Sequence, residues 1–199
     1  MILRRLALAT VLVLGLAAPA RADFESGFSA YLRGDYAAAL GEFRRLADQG
    51  HAPAQYTLGY MYASGLGVPK RQAEAAKWYR LAAQQGHAKA QVNLGTLYRF
   101  GQGVKRSDAE AVTWYRRAAE QGSAKGQYML GAMYENGFGV ARDYVRAHMW
   151  YDLAAAQNLG IAGQERSSVA GKMSLAQVAR AEKLAAEWRQ RHGMPGRAQ

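Results

Sequence analysis

The chain has 199 residues, half of them hydrophobic, no cysteine and a formal net charge of +11. The missing thiols exclude disulfides, thiolate metal sites, a cysteine nucleophile and a lipidated cysteine anchor. The length suits one domain or a short solenoid, and the basic surplus reads either as a face for an acidic partner or as solvated helix surface that adds only solubility.

Residues 1–22 read as an export signal, with Arg4 and Arg5 at a positive start, an apolar run from Leu6 to Ala18, and Ala20-Arg21-Ala22 as a small-x-small cleavage site. That run is shorter than the roughly 20 apolar residues a spanning helix needs. The expectation is cleavage after Ala22 and no stable membrane span. Removing 22 residues from 199, and with them Arg4, Arg5 and Arg21, leaves 177 residues at a net charge of +8. The expected location is periplasmic or secreted. Nucleic acid is set aside as a partner, because exported proteins rarely meet it and no aromatic-plus-basic stripe stands out.

From residue 54 a pattern returns three times at a spacing of 36: AQYTLGYMYASGLGV, AQVNLGTLYRFGQGV and GQYMLGAMYENGFGV. A fixed period in this range marks stacked units without one closed core. Ala54, Gln55, Leu58, Gly59 and Tyr62 recur at helical steps, which predicts a helix over about Ala52 to Ser64. The Gly65-Leu66-Gly67-Val68 segment stops it, Pro69 is expected to help start a second helix carrying Ala75, Trp78, Tyr79, Ala82 and Ala83, and Gly86 ends that one. These glycines follow helices and recur once per unit, so they serve turn geometry and not phosphate binding. Gly59, Gly95 and Gly131 sit inside helices, where each costs about 1 kcal/mol against Ala; the expectation is a neighbouring helix too close for a side chain. The recurring Trp78, Trp114 and Trp150 are expected to pack between stacked helix pairs.

In the last unit Asn158 replaces the turn glycine. Ile161 to Met173 predicts another helix, and Ser174-Leu-Ala-Gln177 is a capping-box start for a final one, ending near Gly193. Its Leu175, Val178, Leu184 and Trp188 are expected to cover the open end of the stack, as a solenoid requires.

Catalytic signals are absent. The four histidines are His51 and His87, one repeat apart in inter-unit turns, His148 on a helix and His192 near the tail. No HExxH, paired metal ligands or nucleophile-elbow serine occurs. The reading is a non-enzymatic chain with no cofactor and no metal.

Together the residues resemble the Sel1-like repeat (SLR), an exported bacterial member of the tetratricopeptide-type superfamily. The resemblance implies an all-α, right-handed α-solenoid of stacked antiparallel helix pairs with a C-terminal capping helix. It divides the chain into a signal peptide at 1–22, an N-terminal tetratricopeptide-like half unit at 23–50, three repeats at about 51–86, 87–122 and 123–158, and capping helices with a tail at 159–199. Gly34-Asp35-Tyr36 and Phe43 to Gly50 carry the opening unit, with Phe43 standing 36 residues before Tyr79 and Gly50 standing 36 before Gly86.

The relationship further implies a concave groove lined by the first helix of each unit. Positions there that fail to repeat are Tyr56, Thr57, Tyr60, Lys89, Asn93, Thr96, Arg99, Lys125, Tyr128, Met129, Ala132, Glu135 and Asn136. Tyrosines offer rigid contact area, asparagines can bond a backbone, and Lys89, Arg99 and Lys125 can hold carboxylates. The expected role is a monomeric protein-protein interaction scaffold of the cell envelope that binds a peptide or protein segment, an acidic one included. The alternatives are an acidic envelope polysaccharide or peptidoglycan strand and, further off, hydrolysis of a cell-wall or antibiotic compound.

Overall fold

The computed structural model describes residues 17–193, with side chains from residue 23 onward. The expected signal peptide lies outside the described residues over 1–16, and 17–22 form the opening turns of the first helix. Among the described residues there are ten helices and no strand. They are α1 (Ala17–Leu32), α2 (Tyr36–Asp48), α3 (Ala52–Ser64), α4 (Gln72–Gln84), α5 (Ala88–Phe100), α6 (Asp108–Glu120), α7 (Ala124–Asn136), α8 (Tyr144–Ala155), α9 (Gly160–Ala170) and α10 (Leu175–Arg191). None of the described helices is long and apolar enough to cross a membrane.

Each boundary has a local cause. At the start of α3 and α5, His51 Nδ1 and His87 Nδ1 accept the backbone N–H of Ala54 and Ala90, and Ser123 does the same for Gly126 at the start of α7. Side-chain acceptors of this kind satisfy N–H groups that the first helical turn leaves unpaired. Gly65, Gly101 and Gly137 close the same helices in the left-handed conformation. Asn158 takes that backbone conformation too, with φ of 64°, in place of the turn glycine; asparagine is among the side chains that tolerate it. Pro69 does not start α4, because the turn runs on to Arg71, whose backbone N–H closes onto the Tyr62 carbonyl at 2.9 Å. The equivalent positions hold Ser107 and Asp143, which do cap α6 and α8.

Within a unit the helical glycines mark a tight approach. A Cβ on Gly59, Gly95 or Gly131 would lie 2.7–2.8 Å from the ring of Tyr79, Tyr115 or Tyr151 on the following helix. Between units a glutamine relay repeats three times. Gln55 Nε2 donates to the Ala47 carbonyl while its Oε1 accepts from Gln85, and Gln91 with Gln121 and Gln127 with Gln157 make the same pair of bonds one and two units on. The buried amides are thereby satisfied and not left as a desolvation penalty. On the other side Arg44, Arg80 and Arg116 donate to the hydroxyls of Tyr62, Tyr98 and Tyr134.

From α1 to α9 each helix packs on its sequence neighbour, and α10 returns onto α8. The buried side chains fall into an N-terminal cluster reaching Trp114 and a C-terminal one from Val92 to Trp188, with half-buried Tyr98 against both. The molecule is an all-α solenoid. First helices α5 and α7 also touch directly, a contact no pair of second helices matches. The first helices therefore lie on the inner side of the curve.

The C-terminal end is fastened by a charge at its centre. Asp152 on α8 is 2% exposed and binds Arg166 of α9 and Arg189 of α10, each at 2.8 Å. The expected cover is partly as read: Trp188 is buried, Leu184 packs half-buried against the core and Val178 is half-buried, but Leu175 is 90% exposed, and Ala181 and Ala185 add the remaining buried contacts. The first turn of α10, Leu175 to Gln177, is exposed. The helix expected over 161–173 ends at Ala170.

Candidate functional site

The inner face of α3, α5 and α7 is not flat. Between Tyr56, Lys89, Val92, Asn93, Ser123 and Lys125 lies a cleft of about 350 Å³. Lys89 sits on the first turn of α5 and Lys125 on the first turn of α7, both exposed and without an ion pair among the described residues. Two positive charges one repeat apart thus face one opening, with no carboxylate among the lining residues.

The Tyr56 side of the cleft is built of packed rings. Tyr56 stacks on the His87 ring at 4.6 Å between centroids and lies 5.9 Å from the Tyr79 ring. Burial pushes the Tyr56 and Tyr79 phenols up, while the Asn93 amide works against that shift. Both phenols are neutral at physiological pH. His87 is shifted down, first by burial and then by Lys89, so its ring is neutral as its capping bond to Ala90 requires.

The cleft continues toward the N-terminus. A second hollow of about 430 Å³ shares Tyr56 and Lys89 with it and adds Phe24, Phe28, Pro53 and Thr57. The Phe24, Phe28 and Tyr31 rings run in a stacked file along α1, at 6.3 and 6.2 Å. A smaller hollow holds Tyr60, Asn93 and Thr96. The groove is therefore apolar and aromatic at one end and basic in the middle.

The structure brings together Tyr56, Lys89, Asn93 and Lys125, with Thr57, Tyr60 and Thr96 at the borders. It draws others away. Arg99 lies over the Phe138 ring at 4.2 Å and 3.9 Å from Asp108, inside the repeat contact. Glu135 accepts from the Tyr151 hydroxyl and from Lys172, so it ties α7 to α8 and to the turn after α9. Asn136, exposed at the end of α7, donates to the Ala132 carbonyl. Tyr128, Met129 and Ala132 are half-buried against the C-terminal core. Thr96 bonds the Val92 carbonyl and meets the Tyr115 hydroxyl at 3.1 Å.

Sequence reasoning missed Phe24 and Phe28, whose four-residue spacing was the available signal, and Val92, Ser123 and His87 as groove lining. Among the described residues no three His, Asp or Glu side chains come together as metal ligands would.

The Sel1 repeat family model matches residues 52–87, 88–123 and 124–159, one residue later than the expected bounds. A Sel1 repeat protein from Oxalobacter formigenes is 40% identical with a TM-score of 0.60, over 65% of this chain and 97% of that one. A protective antigen of uropathogenic Escherichia coli displaying an SLR fold is 31% identical with a TM-score of 0.60, over 86% of this chain and 45% of that one. This chain spans less than half the length of that antigen. No curated protein matches. The matched segments exceed half of the chain and coincide with its helix pairs, and the chain belongs to the Sel1 repeat family.

Proposed function

We propose that the protein is a non-catalytic interaction scaffold of the bacterial cell envelope whose inner groove binds an extended, acidic or C-terminal segment of another protein. Sel1 repeat proteins are in general protein-protein interaction scaffolds. The observation that carries the finer reading is the convergence of Lys89, Asn93 and Lys125 on one cleft beside Tyr56. Lysines supply charge to a carboxylate, the asparagine amide can bond main chain, and the aromatic end at Phe24 and Phe28 takes an apolar side chain. Export, and hence the envelope setting, rests on the leader-like residues 1–22.

The test is in-cell photo-crosslinking of the full chain, with the reactive group placed at Tyr56 or, as a control, at exposed Lys77 on α4. A partner trapped from the groove position alone is expected. Lys89→Glu with Lys125→Glu then weakens binding of the trapped segment by roughly tenfold or more, about 1.4 kcal/mol per tenfold. Unchanged affinity removes the groove as the site.

A further inference from the structure

Away from the groove, the second-helix side of the stack carries a hollow of about 630 Å³ between α6, α8 and the cap helix α10. It shares no residue with the inner cleft. Met149, Trp150, Leu184 and Trp188 supply apolar surface, and exposed Arg146, Arg180 and Arg191 supply charge. Against these stand Glu120 in the lining, Asp143, which pairs with Arg146 at 3.5 Å, and the Tyr134 hydroxyl, which already accepts from Arg116 and Arg146.

The indoles are fixed by one another. Trp150 meets Trp188 edge to face at 6.0 Å, and the His192 ring stacks on Trp188 at 4.0 Å. His192 thus covers one face of Trp188, and the indole N–H edges remain to be accounted for. Neither indole N–H donates to an acceptor among the described residues, and neither is sealed from solvent as the Trp114 N–H is. Arg180 has no hydrogen bond or ion pair among the described residues, and Arg191 reaches only the Glu187 carbonyl, at 3.4 Å.

The hollow is thus rich in donors and poor in acceptors. Guanidinium and indole donors call for a ligand carrying acceptor oxygens and negative charge. The apolar surface calls for an organic body behind that charge, and the volume falls within the roughly 300–1,000 Å³ of small-molecule sites. We propose that this hollow binds a small organic anion, an oxyanion head on an aromatic or branched apolar body, with Arg180 and Arg191 holding the head and Met149 and Leu184 the body.

The experiment uses the full chain and the dye 8-anilinonaphthalene-1-sulfonate, followed by its emission, beside the uncharged N-phenyl-1-naphthylamine. Saturable binding of the sulfonate is expected, roughly tenfold tighter than the neutral dye and weakening with added salt. Arg180→Glu with Arg191→Glu should lose roughly tenfold in affinity at an unchanged melting temperature, while Lys89→Glu with Lys125→Glu retains it. If the arginine pair perturbs folding, Arg180→Gln, which breaks no contact, is judged by the same criterion. Equal binding of the two dyes, undiminished binding by the arginine variants, or loss only in the groove variant overturns the assignment.

Discussion

The second glycine of each inter-helix turn shows how one residue type can join two units. A Cβ on Gly103 would overlap the Gln72–Ala73 backbone on the first turn of the preceding unit's second helix, and Gly139 stands likewise to Asp108 and Ala109. Backbone cannot rotate away as a side chain can. Gly103→Ala therefore adds a clash to the roughly 1–2 kcal/mol of left-handed strain that φ of 69° imposes on any side chain. Gly122→Ala, at φ of 84° with nothing within 4 Å, carries the strain alone. Thermal unfolding should show Gly103→Ala as the more destabilising by about 1–3 kcal/mol, in the range of overpacking costs; equal losses would mean that the turn does not clamp the units. Trp114→Ala should cost about 3–5 kcal/mol, as for other buried large aromatics. These positions were legible because they repeat. Arg99 and Glu135 were not: a non-repeating side chain on the inner helix can face the groove or reach into the next unit, and periodicity does not distinguish the two.

Helix boundaries were legible wherever a glycine or a short polar residue set them, since both act locally. His51 and His87 stand one repeat apart in inter-unit turns, and there they cap the following helix. A ring nitrogen can accept the Ala54 or Ala90 N–H only when unprotonated. Burial lowers the affinity of both histidines, and of His148, for a proton. The unfolded chain then binds more protons than the folded one as pH falls below about 6.5, so stability is full above that value and declines toward the folded-state values. The melting temperature should drop between pH 7 and pH 5. His51→Ser with His87→Ser, which copies the Ser123 cap of the third unit, should retain the pH 7 value and flatten the decline, leaving the share due to His148. A decline of unchanged slope would show that the caps are not its source.

Across the whole molecule, contacts run from each helix to its neighbours, and the two core clusters meet near Tyr98 without fusing. Stability in such a stack is nearly a sum of local terms, so damage at one end should stay there. The period announced this architecture, but the cap's fastening was not legible from it: Asp152 breaks the repeat at the position where Arg44, Arg80 and Arg116 stand, and its partners Arg166 and Arg189 lie beyond the last unit and meet it only after α9 and α10 fold back on α8. Asp152→Asn keeps the shape and removes the charge, leaving two largely buried guanidiniums without their counter-ion; breaking a buried pair from one side costs about 3–5 kcal/mol. Amide hydrogen exchange should then quicken across α9 and α10 and the face of α8 they cover, while α2, α3 and α4 exchange as before. Equal acceleration in α3 and α4 would mean that the solenoid unfolds as a single cooperative unit, and the hollow beside Trp188 would then be no more independent of the groove than any other part of the chain.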